Sequence, residues 1–307
     1  MSARSLAPLR LIQFRAGYNL PVHIARDMGF FAKHGLQVEV SYTPGSVYLI
    51  EGLKTGRFDI AHTAADDVIA DVESTGSDLF LFMGIYGGLL SLVGSPETRE
   101  IESLREKTLG VDARSSGFVF VLEKMLRSRG LTSRDYGLME AGGMENRYRG
   151  LLEGKFFATL LTPPYTDNAL GAGCQLLLEA REVVPVYQAT CGAARRTWAR
   201  ENAHKLARYI RAYVKATRWC FDPRNRKACL ELLSKYNGIG IPPAEKTLDA
   251  LLDPEQGFQP DAQLNGAGVK VVLDLRAEFG YLAEPIPSPE KYLDLSHYRM
   301  AMGEKPK

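Results

Sequence analysis

The sequence predicts an α/β protein with two lobes, each a mainly parallel β-sheet flanked by helices. Three observations carry this prediction: two successive segments have the order strand, helix, strand, helix, strand; glycine follows their helices; and the segments share landmark residues. Each landmark recurs 95 to 99 positions later: Gly35 as Gly130, Gly56 as Gly154, Phe58 as Phe156 and Thr63 as Thr162. Strands joined through helices run parallel with right-handed crossovers, which places helices on both faces of each sheet. Chance similarity between two α/β units is the alternative.

The first unit extends from Leu9 to about Ile69. Its predicted elements are a strand at 9–14, a helix at about 20–34, a strand at 37–42, a helix ending at 54 and a strand within 56–63. Val38 and Val40 alternate with polar residues, which is typical of a strand with one buried face.

The second unit extends from Lys107 to Thr162. Its predicted elements are a strand at 108–111, a helix from about 117 to 129, a weaker strand ending at 140, a helix ending near 153 and a strand within 154–162. Beyond Gly173 the pattern indicates an extended segment at 183–188, followed by helices at about 192–221, 225–235, 242–252 and 262–279. We expect the chain to cross between the lobes at the glycine break 84–88 and near Tyr187.

The composition excludes several classes of protein. The 307 residues are 45% hydrophobic and 24% charged, with a formal net charge of +2. These values are typical of a globular protein with a large core, and the small net charge argues against nucleic acid as a partner. The uncharged stretch 79–94 is interrupted by glycines and is shorter than the about 20 apolar residues of a membrane-spanning helix. We expect no transmembrane segment, and a monomer or a weak dimer.

Motifs for metals and cofactors are absent from the sequence. The four cysteines form no CxxC pair, so we expect no zinc site and no other metal or cofactor. No secretory leader precedes the strand at Leu9. The predicted location is therefore the periplasm if a leader was removed from this sequence, and the cytoplasm if Met1 is the native start.

Candidate binding residues follow from the predicted strands. In parallel α/β sheets, ligands bind beyond the carboxyl ends of the strands, where loops lead into helix N-termini. A tyrosine at the second crossing is added because its ring could stack on a flat ligand. The candidates are Arg15, Tyr18, Asn19, Ser46, His62, Thr63, Asp67, Ser115, Ser116, Gly117, Arg147, Thr162, Tyr165 and Tyr187.

Two features among these candidates could hold an anionic ligand. The segment Ser115–Gly117 opens a predicted helix, where free N–H groups and the helix dipole favour an anion. An ordinary serine N-cap is the alternative. Arg15 or Arg147 could form a bidentate pair with a carboxylate or sulfonate, or could be a solvated surface arginine.

One pair of residues has an arrangement found in enzymes. His62 ends a predicted strand and Asp66 follows four residues later, so they are the candidate acid–base pair if the protein is catalytic. The alternative is a helix N-terminus in which the dipole favours acidic residues. Asp66 and Asp67 would also suit a cationic ligand.

Residues 20–38, LPVHIARDMGFFAKHGLQV, resemble the A-x-x-x-G-F-F-x-x-x-G-L-x-V opening of solute-binding proteins for nitrate, sulfonates and taurine. Pyrimidine-precursor proteins of thiamine metabolism open similarly, and residues 56–61 and 103–111 resemble two further motifs of this family. The resemblance implies a type II periplasmic-binding-protein fold. Lobe I would comprise 1–87 and 192–307, lobe II would comprise 88–191, and hinge motion would close a ligand between them.

The resemblance also implies a function. It indicates a protein that captures a small anionic or aromatic organic molecule and delivers it to the membrane subunits of an ABC-type transporter. Thiamine-pyrimidine synthases of this superfamily carry a lysine for pyridoxal phosphate and a histidine four residues on, where this chain has Thr63 and Asp67, so that activity is not expected. The alternative is a cytoplasmic enzyme on the same fold, a decarboxylase or dehydratase of an aromatic or cyclic carboxylic acid, using His62 and Asp66.

Overall fold

Two five-stranded sheets, one in each lobe, frame the molecule in a computed structural model that describes residues 5–304. In chain order the strands are β1 (Ala7–Gln13), β2 (Leu36–Tyr42), β3 (Ile60–Ala64), β4 (Leu79–Tyr86), β5 (Ser91–Gly94), β6 (Thr108–Val111), β7 (Gly137–Glu140), β8 (Ala158–Leu161), β9 (Gln175–Glu179) and β10 (Thr190–Arg195). The first sheet has the strand order β2-β1-β3-β10-β4, and the second has the order β7-β6-β8-β5-β9. The predicted two-lobed α/β architecture is confirmed.

Each sheet contains three parallel strands and one antiparallel strand that separates them from a fifth. In the first sheet β10 is antiparallel to β3 and β4, and in the second sheet β5 is antiparallel to β8 and β9. The chain leaves the first sheet after Tyr86 and returns to it at Thr190. The return predicted at residue 192 lies inside β10, because Thr190 already pairs with Ala64 of β3.

Helices cover both faces of the sheets. Within the described residues the α-helices are α1 (Leu20–Asp27), α2 (Phe30–Lys33), α3 (Ser46–Lys54), α4 (Ala65–Thr75), α5 (Gly117–Arg127), α6 (Met144–Leu152), α7 (Tyr165–Gly171), α8 (Arg196–Glu201), α9 (Ala203–Cys220), α10 (Arg226–Asn237), α11 (Ile241–Leu251), α12 (Gly266–Glu278) and α13 (Ser296–Met302). None of these helices of residues 5–304 is both long enough and apolar enough to cross a membrane.

Three helix predictions are wrong in their bounds, and the simplest case is α12, which begins at Gly266 rather than at 262. The helix predicted at 20–34 is divided into α1 and α2 because Gly29 has a φ of +72°, a left-handed conformation that interrupts the helix. The helix predicted from residue 192 begins only at Arg196. The residues before it are mostly small and buried, and they fill a place between β3 and β4 that a helix could not occupy.

The sequence repeat corresponds to a repeated packing contact. Phe58 lies against Gly52 of α3, and 98 positions later Phe156 lies against Gly150 of α6. A Cβ atom at Gly52 would approach the Phe58 ring to 2.7 Å, and one at Gly150 would approach the Phe156 ring to 2.6 Å. In each lobe a helical glycine therefore lets the helix pack directly on an aromatic ring.

Replacing Gly150 by Ala is expected to lower the free energy of unfolding by about 1–3 kcal/mol, because overpacking outweighs the better helix propensity of alanine. Chemical denaturation measures this change. Gly171→Ala is the matched control, since nothing lies within 4 Å of a Cβ at Gly171 in α7. Equal stability of the two variants would contradict the packing argument.

Helix α12 contacts both lobes. Val269, Val272 and Leu273 belong to the core that contains residues of α3 and α4, whereas Leu275 belongs to the core of the second lobe. Just beyond the helix, Phe279 stacks on Phe120 of α5 with ring centroids 5.7 Å apart. The C-terminal part of the chain therefore joins the two lobes on the side of α4 and α5.

Candidate functional site

A narrow cavity of about 40 Å³ lies between the lobes, at the carboxyl ends of the parallel strands. Its walls come from both lobes. The lining residues are Phe14, Tyr18, Ser46, Ala64, Asp67, Asp112, Ser116, Gly117, Phe118, Gly143, Met144, Arg147 and Thr190. The position agrees with the rule that ligands bind beyond the carboxyl ends of strands in α/β proteins.

The second lobe contributes a buried cation, Arg147 of α6, which is 2% exposed. Its Nε donates to the Gly142 carbonyl oxygen at 3.1 Å, and its Nη1 donates to the Leu160 carbonyl oxygen at 2.7 Å. Within residues 5–304, no carboxylate oxygen lies within 4.0 Å of this guanidinium. Burial lowers the pKa of Arg147, and the negative charge of Asp112 acts against that shift. A buried guanidinium without an ion-pair partner is suited to the acidic group of a ligand.

The first lobe contributes a carboxyl group, Asp67 of α4. The Thr63 hydroxyl donates to Asp67 Oδ2 at 2.6 Å. The pKa of Asp67 is raised to about 7, mainly by burial; the hydrogen bond from Thr63 opposes the shift, and the nearby carboxylates of Asp66 and Asp112 add to it. Near neutral pH this carboxyl group can therefore either donate a hydrogen bond to a ligand or accept one.

The raised pKa of Asp67 predicts a pH dependence of stability. Between its ordinary value of 3.8 and about 7, the folded protein keeps a proton on Asp67 that the unfolded chain has released. Asp67 should therefore contribute a decline in the free energy of unfolding as the pH rises through this interval, opposite in sign to the contribution of buried His62, and Asp67→Asn should remove that decline. Denaturation at a series of pH values tests this. Asp71→Asn, on the same helix and paired with Lys54, is the control that should retain the decline.

Aromatic rings form the apolar walls of the cavity. Phe14 and Tyr18 come from the first lobe, and Phe118 comes from the second. Tyr18 is 8% exposed and stacks on Tyr86 with ring centroids 5.3 Å apart, so its ring is held in place from behind. Burial raises the pKa of Tyr18, which keeps its hydroxyl protonated. Such walls suit a flat or cyclic ligand.

The segment Ser115–Gly117 does not present a free helix N-terminus. Gly117 N–H donates to Asp66 Oδ2 of the first lobe at 2.8 Å, and the Ser116 hydroxyl caps α5 by accepting a bond from Val119 N–H. Asp66 Oδ1 accepts a bond from Arg276 Nη1 of α12, also at 2.8 Å. The anion at the N-terminus of α5 is thus the Asp66 carboxylate of the protein itself. Burial raises the pKa of Asp66, and both donors oppose the shift because they favour the carboxylate.

The structure corrects the prediction that His62 and Asp66 form an acid–base pair. The His62 ring is fully buried, and its Nε2 lies 2.8 Å from the Tyr209 hydroxyl of α9. Burial lowers the pKa of His62 to about 3. Asp66 bonds instead to Gly117 and Arg276. The two side chains diverge because His62 lies on β3, facing α9, whereas Asp66 lies on α4, facing the second lobe.

The candidate residues therefore separate into groups. Tyr18, Ser46, Asp67, Ser116, Gly117 and Arg147 line the cavity. Arg15 is outside it, exposed, with its guanidinium 4.2 Å from the centre of the Tyr42 ring. The other candidates that do not line the cavity are Asn19, His62, Thr63, Ser115, Thr162, Tyr165 and Tyr187.

Several of those outer residues support the site. Asn19 is buried, and its side-chain amide donates to the Phe14 carbonyl oxygen at 2.5 Å. The Thr63 hydroxyl holds Asp67. Tyr165 packs near Tyr148 at 5.7 Å, and burial raises the pKa of Tyr165 to about 12. Tyr187 lies at the return crossing, with its hydroxyl 3.0 Å from the position of a Cβ at Gly117.

Sequence reasoning missed part of the cavity lining. Phe14 directly follows β1 and Asp112 directly follows β6, so the rule of strand ends could have included both. Met144 opens α6 after β7, so the same rule could have included it, whereas Thr190 carried no such signal because its approach to the cavity depends on how β10 packs. Among residues 5–304, no group of three or more His, Cys, Asp or Glu side chains is placed to hold a metal ion.

Two lobes joined by two crossings, with a cavity between their sheet edges, define the periplasmic-binding-protein fold. The chain belongs to the NMT1/THI5-like family, whose model matches residues 17–225. The resemblance stated from the sequence motifs is thereby confirmed.

Comparison with solved structures shows the same fold along almost the whole chain. The periplasmic nitrate-binding protein of Synechocystis PCC 6803 is similar with a TM-score of 0.82 at 12% identity, covering 98% of this chain and 90% of that one. The alkanesulfonate-binding protein of Xanthomonas axonopodis pv. citri, bound to MOPS, is similar with a TM-score of 0.74 at 17% identity, covering 94% and 96%.

One curated relative is an enzyme. The chain is 26% identical over 143 residues to 4-amino-5-hydroxymethyl-2-methylpyrimidine phosphate synthase of Uromyces fabae. That match spans 45% of this chain and 40% of the relative. By their names, the proteins to which this chain is similar thus include binding proteins and a synthase.

Proposed function

We propose that this protein binds a small organic acid with a flat or cyclic body between its lobes, at a cavity that must widen by lobe opening to admit it. The observation that carries the proposal is the buried Arg147 guanidinium, which faces the cavity without a carboxylate partner among residues 5–304. Retaining an unpaired buried charge is costly, and a ligand acid that binds it in a bidentate manner would repay that cost.

The lining supports a second recognition element for the same ligand. Asp67 faces the cavity from the lobe opposite Arg147, and the rings of Phe14, Tyr18 and Phe118 provide apolar walls. A ligand with an acidic group at one end and an amide, amine or hydroxyl at the other could bond to both lobes at once. Such a ligand stabilises the closed arrangement because only that arrangement satisfies both contacts.

Delivery of this ligand to an ABC-type transporter is the physiological role that we propose. The support is the similarity of fold to the nitrate- and alkanesulfonate-binding proteins. Turnover of the ligand is the second candidate, and the observations that favour it are the synthase among the relatives and Asp67, a carboxyl group with a pKa of about 7 inside the cavity. In that case Asp67, rather than His62, would be the acid–base group.

Mass spectrometry of the intact purified protein tests the proposal by showing whether a molecule is bound. The bound molecule is then released and incubated with fresh protein. Recovery of an unchanged organic acid at one per chain supports a binding protein, whereas conversion to a product of different mass supports an enzyme. If nothing co-purifies, thermal shift with benzoate, cyclohexanecarboxylate and methanesulfonate replaces this measurement. No stabilisation by any acid would contradict the proposal.

A further inference from the structure

Three elements that are far apart in sequence meet at the carboxylate of Asp66. It receives the first N–H of α5 through Gly117 and the guanidinium of Arg276 from α12, each at 2.8 Å. The side chains of Asp66 and Arg276 are 2% and 6% exposed. Both oxygens of this carboxylate are therefore bonded, and water has little access to the ion pair.

The contact depends on a close approach between the lobes. A Cβ atom at Gly117 would lie 2.6 Å from the Asp66 Cβ, so only glycine allows α5 to come this near to α4. Arg276 is also held in place, with its guanidinium carbon 5.5 Å from the centre of the Phe120 ring and 6.0 Å from that of Tyr281. The carboxylate thus lies between a helix N-terminus and a guanidinium, which is the chemistry of an anion-binding site.

We infer that Asp66 is a specificity-determining residue that acts as an internal anion at the N-terminus of α5. Its carboxylate fills that position and excludes the acidic group of a ligand from it. The acidic group is then directed to Arg147, a step that rests on the proposed function. The occupancy by Asp66 itself does not depend on any ligand.

Asp66→Ala tests the inference by removing the carboxylate and leaving a space of the size of formate. Formate or nitrate should then bind between Gly117 N–H and Arg276 and should raise the melting temperature of the variant in a saturable manner. Asp66→Asn keeps the size of the side chain, leaves no such space, and should show no response. Failure of Asp66→Ala to be stabilised by either anion would overturn the inference.

Further variants separate this site from the cavity. Formate could also reach Arg147, so the measurement is repeated in Asp66→Ala combined with Arg147→Gln, where the response should persist. Arg147→Gln alone, with Asp66 intact, should show none. If Asp66→Ala folds only in the presence of formate and unfolds when formate is dialysed away, the inference is supported. An Asp66→Ala variant that stays unfolded with and without formate contradicts the inference. None of these outcomes depends on the identity of the cavity ligand.

Discussion

Replacing Arg147 by Met should weaken binding of the cavity ligand by about 30-fold or more, because truncation of a buried, hydrogen-bonded charge that pairs with a ligand costs about 2–5 kcal/mol. We expect a much smaller effect on folding, since Arg147 bonds to carbonyl oxygens and has no carboxylate partner among residues 5–304. Removing the charge also removes its desolvation penalty. Calorimetric titration with the co-purifying acid, or with the acid that gives the largest thermal shift, measures the change.

Arg149 provides a matched control on the same helix. Its side chain is 63% exposed and pairs with Glu145, so Arg149→Met should leave ligand affinity within about twofold of the original. If Arg147→Met and the unmodified protein bind the ligand with equal affinity, Arg147 does not bind the acidic group, and the proposed function is contradicted.

Replacing Asp66 by Asn should lower the free energy of unfolding by about 3–5 kcal/mol. The variant leaves the Arg276 guanidinium buried without its carboxylate, and an uncompensated buried charge is strongly destabilising. Asp66→Asn combined with Arg276→Met should recover most of this loss, because the second substitution removes the unpaired charge. Chemical denaturation of the two single variants and the double variant gives the coupling between the residues.

The ion pair of Arg218 and Asp261 is the control for that cycle. Its side chains are 56% and 47% exposed, so Asp261→Asn should change stability by no more than about 1 kcal/mol. A double variant as unstable as the sum of its single variants would show that the buried pair is not coupled.

The architecture was predictable because it depends on local sequence patterns. The glycines that end helices, the alternation in β2 and the repeat of Phe58 at Phe156 all act over short distances or at constant spacing. The antiparallel strand β10 was not predictable in the same way. Whether a segment such as 190–195 becomes a strand depends on a vacancy between β3 and β4, which no neighbouring residue specifies.

Within the site, the sequence could nominate residues at strand ends but could not assign their directions. Arg15 and Arg147 were equivalent candidates, yet Arg15 is exposed against Tyr42 and only Arg147 faces the cavity. His62 and Asp66 are four residues apart in sequence and bond to different parts of the protein. Burial set these outcomes, since it decides which polar groups lose water and must find a partner.

The sequence by itself determined that the chain forms two related α/β units, and it predicted that a ligand binds where their strands end. Only the tertiary structure decided that Asp66 pairs with Arg276 and accepts a hydrogen bond at the N-terminus of α5. Arg147, in contrast, lines the cavity. The physical reason is that periodicity and spacing act along the chain, whereas the partner of a charge depends on which distant residues share its buried surroundings. Arg276 is 210 positions from Asp66, and only the folded chain brings them within 2.8 Å.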